Sequence, residues 1–111
     1  MGICGALPHE QDQAQPIEVD LTLAVDLAAA GRSDELSDTV DYGDMAQVVE
    51  AIVSEGRYVL LERLAEVIVG AALAHERVSE VTVSVRKLRP PVPVHLDTTG
   101  VTITRTRSDS R

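Results

Sequence analysis

The chain has no tryptophan and no phenylalanine, and its 111 residues include two tyrosines. Any core must therefore be built from Val, Leu, Ile and Ala. Such a core is thin, because a chain of this length buries only about two-thirds of its unfolded surface. Oligomerisation is the expected remedy. Cysteine is nearly absent too: a lone Cys4 cannot form an intrachain disulfide, which points to a reducing cytoplasm. Cations are scarce, with a net charge of -8, which argues against a nucleic-acid backbone or an anionic membrane as partner. The longest apolar run, "VIVGAALA" at 67–74, is too short to span a bilayer. No signal-peptide pattern is visible, and "MGICGA" puts Ala6 where a myristoylation motif wants Ser or Thr.

What the chain does contain is clear alternation. In "PIEVDLTLAVDL", Ile17, Val19, Leu21, Leu23, Val25 and Leu27 alternate with Glu18, Asp20, Thr22, Ala24 and Asp26, which predicts a long strand with one solvated face. Turn residues follow in "AAAGRSDELSDTV". Asp41 is a candidate N-cap for a helix carrying Met45, Val48, Val49, Ile52 and Val53 and ending at Gly56. A second helix is predicted from about Leu60 to Ala74, with Leu61, Leu64, Ala65, Ile68 and Ala72 inward. A strand at 80–87, a proline-rich loop and a last strand in "GVTITRT" complete the order. The fold class is α+β, an antiparallel sheet with two helices on one face. "MGICGAL" reads as the end of a first strand that is largely missing, and "RTRSDSR" as a frayed tail.

Lys87 breaks the pattern. Val81, Val83 and Val85 point one way, Thr82, Ser84 and Arg86 the other, and Lys87 shares the parity of the valines. Either its stem lies on apolar surface while its head snorkels to water, or its amine sits at the mouth of a pocket. Pro90 and Pro91 follow, and neither extends an interior strand. Glu62 stands near the second helix's start, as a helix-dipole partner or as an acceptor for paired ligand N–H groups. Tyr42 covers a helix end or stacks on a flat ligand as a proton donor. Glu10 is a loop carboxylate, and a metal site of His9, Glu10 and Asp12 with Cys4 has little support from spacing. No phosphate loop, nucleophile elbow or HExxH is present.

Four ordered pieces resemble the dihydroneopterin aldolase family: "GICGALPHEQDQAQPIEVDL", "DTVDYG", "LLERLAE" and "VSVRKLRPPVPVHLDTTGVTI". The resemblance covers residues 1–105 as one domain, leaving 106–111 as a disordered tail. It implies a ββααββ tunnelling T-fold assembling into an oligomeric barrel, tetramer or octamer, with sites between subunits. It further implies metal-free, cofactor-free cleavage of a pterin substrate, with Lys87 and Glu10 moving protons through ordered water. Glu62 would accept the pterin's N–H groups, helped by the backbone of Leu61, and Ala6 and Val40 would make backbone contacts with the ring. Tyr42 would reach in from a neighbouring subunit and protonate the intermediate. Many family members carry His where Cys4 stands. The alternatives are a triphosphate epimerase of the same fold, for which Arg86 and Arg89 are candidate cations, and a catalytically weak pterin-binding homologue.

Overall fold

The computed structural model describes residues 1–88 and 98–107. The elements run β1 (Ile3–Cys4), α1 (Pro8–Asp12), β2 (Ile17–Val25), α2 (Ala28–Ser33), a 3-10 turn (Leu36–Asp38), α3 (Tyr42–Glu55), β3 (Arg57–Tyr58), α4 (Leu61–Leu73), β4 (Val78–Lys87) and β5 (Thr99–Thr106).

The three long strands form an antiparallel sheet in the order β2-β4-β5. Alternation decides its register: Val19 lies opposite Val85, Leu21 opposite Val83 and Leu23 opposite Val81, so the apolar rows share one face. Helix α4 packs on β4 and β5, and α3 packs on α4. The resulting core holds Leu64, Ala65, Ile68, Val69 and Ala72 of α4 against Val81, Val83 and Val85, all essentially inaccessible. The opposite face is polar, with Thr82 bonded to Thr104 and Ser84 to Thr102, each at 2.9 Å.

Helix α3 starts where the sequence predicts. The Asp41 carboxylate accepts the N–H groups of Gly43 at 2.9 Å and Asp44 at 3.1 Å, a side-chain cap on two orphan donors. Elsewhere the boundaries shift. β2 ends at Val25 because Asp26 turns its carboxylate onto the Ala28 N–H and opens α2, within a stretch expected to be only turns. Pro8, with its fixed φ and missing N–H, starts a short helix in the expected loop. The opening segment does not join the main sheet as a strand end. Gly2 makes one antiparallel bridge to Gln15, and β1 then pairs in parallel with β3 as a separate two-stranded sheet. The sequence after Gly56 supplies that second partner, which alternation alone does not reveal. Thr106 and Arg107 are not tail: Thr106 ends β5, and Arg107 donates to the carbonyls of Leu73 and His75, each at 3.0 Å. Residues 108–111 of the expected tail, and Arg89 and the prolines expected to wall a pocket, lie outside the described residues.

Candidate active site

Lys87 ends β4 opposite Ile17 and does point inward. It is 9% exposed, and its Nζ lies 2.7 Å from Glu10 Oε2. Glu10 is 6% exposed. The sequence places it there by a short route: Pro8 opens α1, and two residues later Glu10 turns back over the helix start, its Oε1 facing the Leu7 N–H at 3.5 Å. An ammonium aimed at the core is thus met by a carboxylate, the condition under which a buried charge is tolerated. Burial by itself raises the Glu10 carboxyl's pKa. Hydrogen bonds from Lys87 and Gln15, the Lys87 charge and the Leu7 N–H outweigh that and hold it below the usual carboxylate range.

Backbone closes around this pair. A Cβ on Gly5 would fall on the Glu10 carboxylate, so only glycine fits there. Gln11 donates to the carbonyls of Gly5 and Tyr58, and Gln15 donates to the Cys4 carbonyl at 2.9 Å. Cys4 is fully buried. Burial pushes its thiol up, Lys87 opposes that shift, and the carboxylates of Glu10 and Glu62 add to it. That coupling places Glu62 on the side of the Cys4 thiol. Glu62 is exposed in the first turn of α4, whose N-cap, Leu60, offers no side-chain acceptor. An acceptor carboxylate beside uncapped backbone donors can read both halves of an amide-like ligand edge. Leu61, half-buried, immediately precedes Glu62, and exposed Ala6 immediately follows Gly5.

Tyr42 and Val40 are elsewhere. Val40 is buried and Tyr42 is 65% exposed at the start of α3. Gly2, which bridges to Gln15, packs against the carbonyl of Val53 near the other end of that helix. Tyr42 lies about 16 Å from Val53 along the helix axis, at 1.5 Å per residue. Within one chain it does not meet the Glu10–Lys87 pair. It lines an apolar groove of about 490 Å³ between β2 and α3, with Val19, Leu21, Leu23, Met45 and Val49.

A further correction concerns charge. Arg86 points to the opposite sheet face, where it bonds Glu18, Asp20 and Ser84. It is engaged there and faces away from Lys87. His9 is exposed while Cys4 is buried, and among the described residues no three His, Cys, Asp or Glu side chains gather as metal ligands. Gln11, Gln15 and Gly5 escape a reading of the sequence because two glutamines in a polar stretch carry no spacing signal. Only the fold shows what their amides bind.

The family model described as FolB, dihydroneopterin aldolase, matches residues 1–104. The dihydroneopterin aldolase of Staphylococcus epidermidis is 44% identical over 105 residues, covering 94% of this chain and 87% of that protein. Among solved structures, the Escherichia coli dihydroneopterin aldolase in complex with neopterin superposes with a TM-score of 0.85 at 30% identity, covering 94% of this chain and 89% of that one. The dihydroneopterin aldolase from Burkholderia thailendensis bound to guanine gives a TM-score of 0.78 at 32% identity, covering 96% of this chain and 82% of that one.

Proposed function

This chain belongs to the dihydroneopterin aldolase family, and we propose that Glu10, Lys87, Glu62 and a neighbouring subunit's Tyr42 divide its chemistry between them. The activity is that of an aldehyde lyase of folate biosynthesis, the retro-aldol cleavage of 7,8-dihydroneopterin. The observation that carries the assignment of roles is the 2.7 Å Glu10–Lys87 pair, inward-facing at the sheet's end.

The substrate is its own electron sink. Removing the 2'-hydroxyl proton lets the C1'–C2' bond break, releasing glycolaldehyde, and the bonding electrons pass through C6 to the C6=N5 imine. A proton at N5 completes the enamine; protonation at C1', with loss of the N5 proton, then restores the C6=N5 imine and gives 6-hydroxymethyl-7,8-dihydropterin. Glu10, kept ionised by its donors, suits the base; Lys87 carries protons beside it, with water as the relay. No Schiff base is needed, so Lys87 stays non-covalent. Glu62 holds the pterin's N–H groups, as befits a chain whose structural relatives include one bound to neopterin and one bound to guanine. The Leu61 and Ala6 main chains frame the ring, with the Val40 main chain arriving from the same neighbouring subunit as Tyr42. Reprotonation at C1' falls to Tyr42, and return of a twisted glycolaldehyde would give 2'-epimerisation.

The same geometry supports an oligomeric assembly. Tyr42 is remote from its own chain's pair, which supports its arriving from a second subunit. Among the described residues β2 and β5 are the two edges of the three-stranded sheet, the kind of edge on which a neighbour's backbone can pair. A homo-oligomeric ring in the cytoplasm, tetramer or octamer, fits these features. A product assay with dihydroneopterin and with its triphosphate tests the function. Glycolaldehyde from the free pterin is the expected result. Epimerised triphosphate without cleavage would replace the aldolase with the epimerase, and binding without turnover would leave a pterin-binding homologue.

A further inference from the structure

We infer that Gln15 is a positioning residue which, with Lys87, occupies one oxygen of the Glu10 carboxylate and leaves the other, Oε1, to take the substrate's proton. This rests on the site reading above and goes beyond it, because it assigns a residue and a particular oxygen.

The Gln15 side-chain nitrogen has two hydrogens and faces two acceptors, the Cys4 carbonyl at 2.9 Å and Glu10 Oε2 at 3.4 Å. Both neighbours are acceptors, so the amide has one workable orientation, with nitrogen toward the pair. Its main chain is fixed as well: Gln15 N–H donates to the Gly2 carbonyl at 2.8 Å, and the Gly2 N–H returns the bond at 3.0 Å. The donor is therefore held from both ends. Oε2 receives Lys87 at 2.7 Å and Gln15 at 3.4 Å, while Oε1 has one long contact, the Leu7 N–H at 3.5 Å. The Gln15 and Leu7 contacts are both longer than an ordinary N–H···O bond, so the asymmetry between the two oxygens is set first by Lys87, with Gln15 adding to the same oxygen. A carboxylate offers about four lone-pair sites. The donors crowd onto Oε2, and Oε1 keeps the capacity to accept a proton from substrate or a relaying water. Without Gln15, the short Lys87 bond and the long Leu7 contact remain, and the carboxylate is oriented less firmly.

A plain structural role is the competing account, since the same amide also ties β1 to α1. The two differ in how activity responds to pH. Glu10 faces the Lys87 ammonium from β4 and the Cys4 thiol from β1, with the Glu62 carboxylate of α4 near that thiol. Gln15 is neutral, so replacing it changes a hydrogen bond to the ionised carboxylate and no charge. Gln15→Met keeps the volume and the main-chain bridge while removing the donor. We expect kcat on dihydroneopterin to fall about tenfold, the scale of one lost bond to a charged group. KM should stay within about twofold, and the acid limb of the kcat profile should move to higher pH, because the anion has lost a donor. Gln15→Asn, one methylene too short to span both acceptors, should show the same shift, which keeps the test alive should the methionine variant not fold. An unmoved acid limb with a lower melting temperature in either variant overturns the inference and leaves Gln15 a staple. A rise in KM that accounts for the whole loss overturns it too. Glu10→Gln separates this failure from a failure of the site reading. If Glu10→Gln is fully active the base is misassigned; if it is impaired while the Gln15 variants keep a normal profile, only the inference about Gln15 falls.

Discussion

Lys87 and Glu10 are 77 residues apart in sequence, and each would be an unpaired buried charge without the other. Removing one partner of such a pair leaves the survivor uncompensated, at about 3–5 kcal/mol. Glu10→Met and Lys87→Met should each destabilise on that scale, and the double substitution should be closer to wild type than either single, as measured by chemical denaturation. Acid should act through the same contact. Glu10's folded pKa is lowered, so its contribution is fully present above the unfolded carboxylate value of about 4.3 and is lost as pH falls through the lower folded value. Denaturation midpoints of the wild type should drop across that window, and Glu10→Gln should lack that component of the drop. On the proposed reading Glu62 serves binding rather than stability, since it is exposed. Two charge-assisted bonds to a pterin imply that Glu62→Ala weakens binding by about a hundredfold or more. Calorimetry that finds near-normal affinity in a folded variant would remove it from the site.

At the scale of elements, α4 is the member on which the sheet and the site both depend. Its Leu64 and Ile68 are wholly buried against the sheet, and its first turn presents Glu62. Leu64→Ala should cost about 2–5 kcal/mol through lost burial and the cavity left behind, read by thermal unfolding. The C-terminal end of α4 is held differently. Arg107 donates to the Leu73, His75 and Glu76 carbonyls, covering acceptors that a helix end leaves open. α3 relies on its cap, and Asp41→Ala should cost about 0.5–2 kcal/mol while moving Tyr42, which sits one residue on.

For the whole molecule, the separation of Tyr42 from the Glu10–Lys87 pair has a direct test. If a ring shares its sites, a mixture of a Tyr42→Phe chain and a Lys87→Met chain should recover activity, because some interfaces then join an intact Tyr42 to an intact pair. Neither homo-oligomer should match the mixture in full turnover to 6-hydroxymethyl-7,8-dihydropterin. Co-refolded mixtures that show only the average of the two parents would refute sharing, as would light scattering from an active monomer.

The sequence by itself determined the strands and helices that obey a period. Alternating Ile17 to Val25 and Val81 to Lys87, the helical stripe of α4 and the Asp41 cap are local patterns, and each is written within a dozen or so neighbouring residues. It also raised Lys87 as an anomaly, since parity alone aims that side chain inward, and the ordered motifs marked Glu10, Glu62 and Tyr42 as residues to follow. Tertiary structure decided what the anomaly meets. That Lys87 meets Glu10, that Gly5 has room only for hydrogen beside the carboxylate, and that Gln15 donates into the pair all depend on contacts between β1, α1 and β4 with no periodic signature. The parallel pairing of β1 with β3 was illegible for the same reason: two residues are too few to show alternation. Arg86 shows the converse. One position before Lys87, its strand parity already sends it to the other face, and the fold then supplies Glu18 and Asp20 to hold it there. Periodicity fixes which way a side chain points, because that is a property of the local backbone. What it meets depends on where distant segments are brought, and packing sets that.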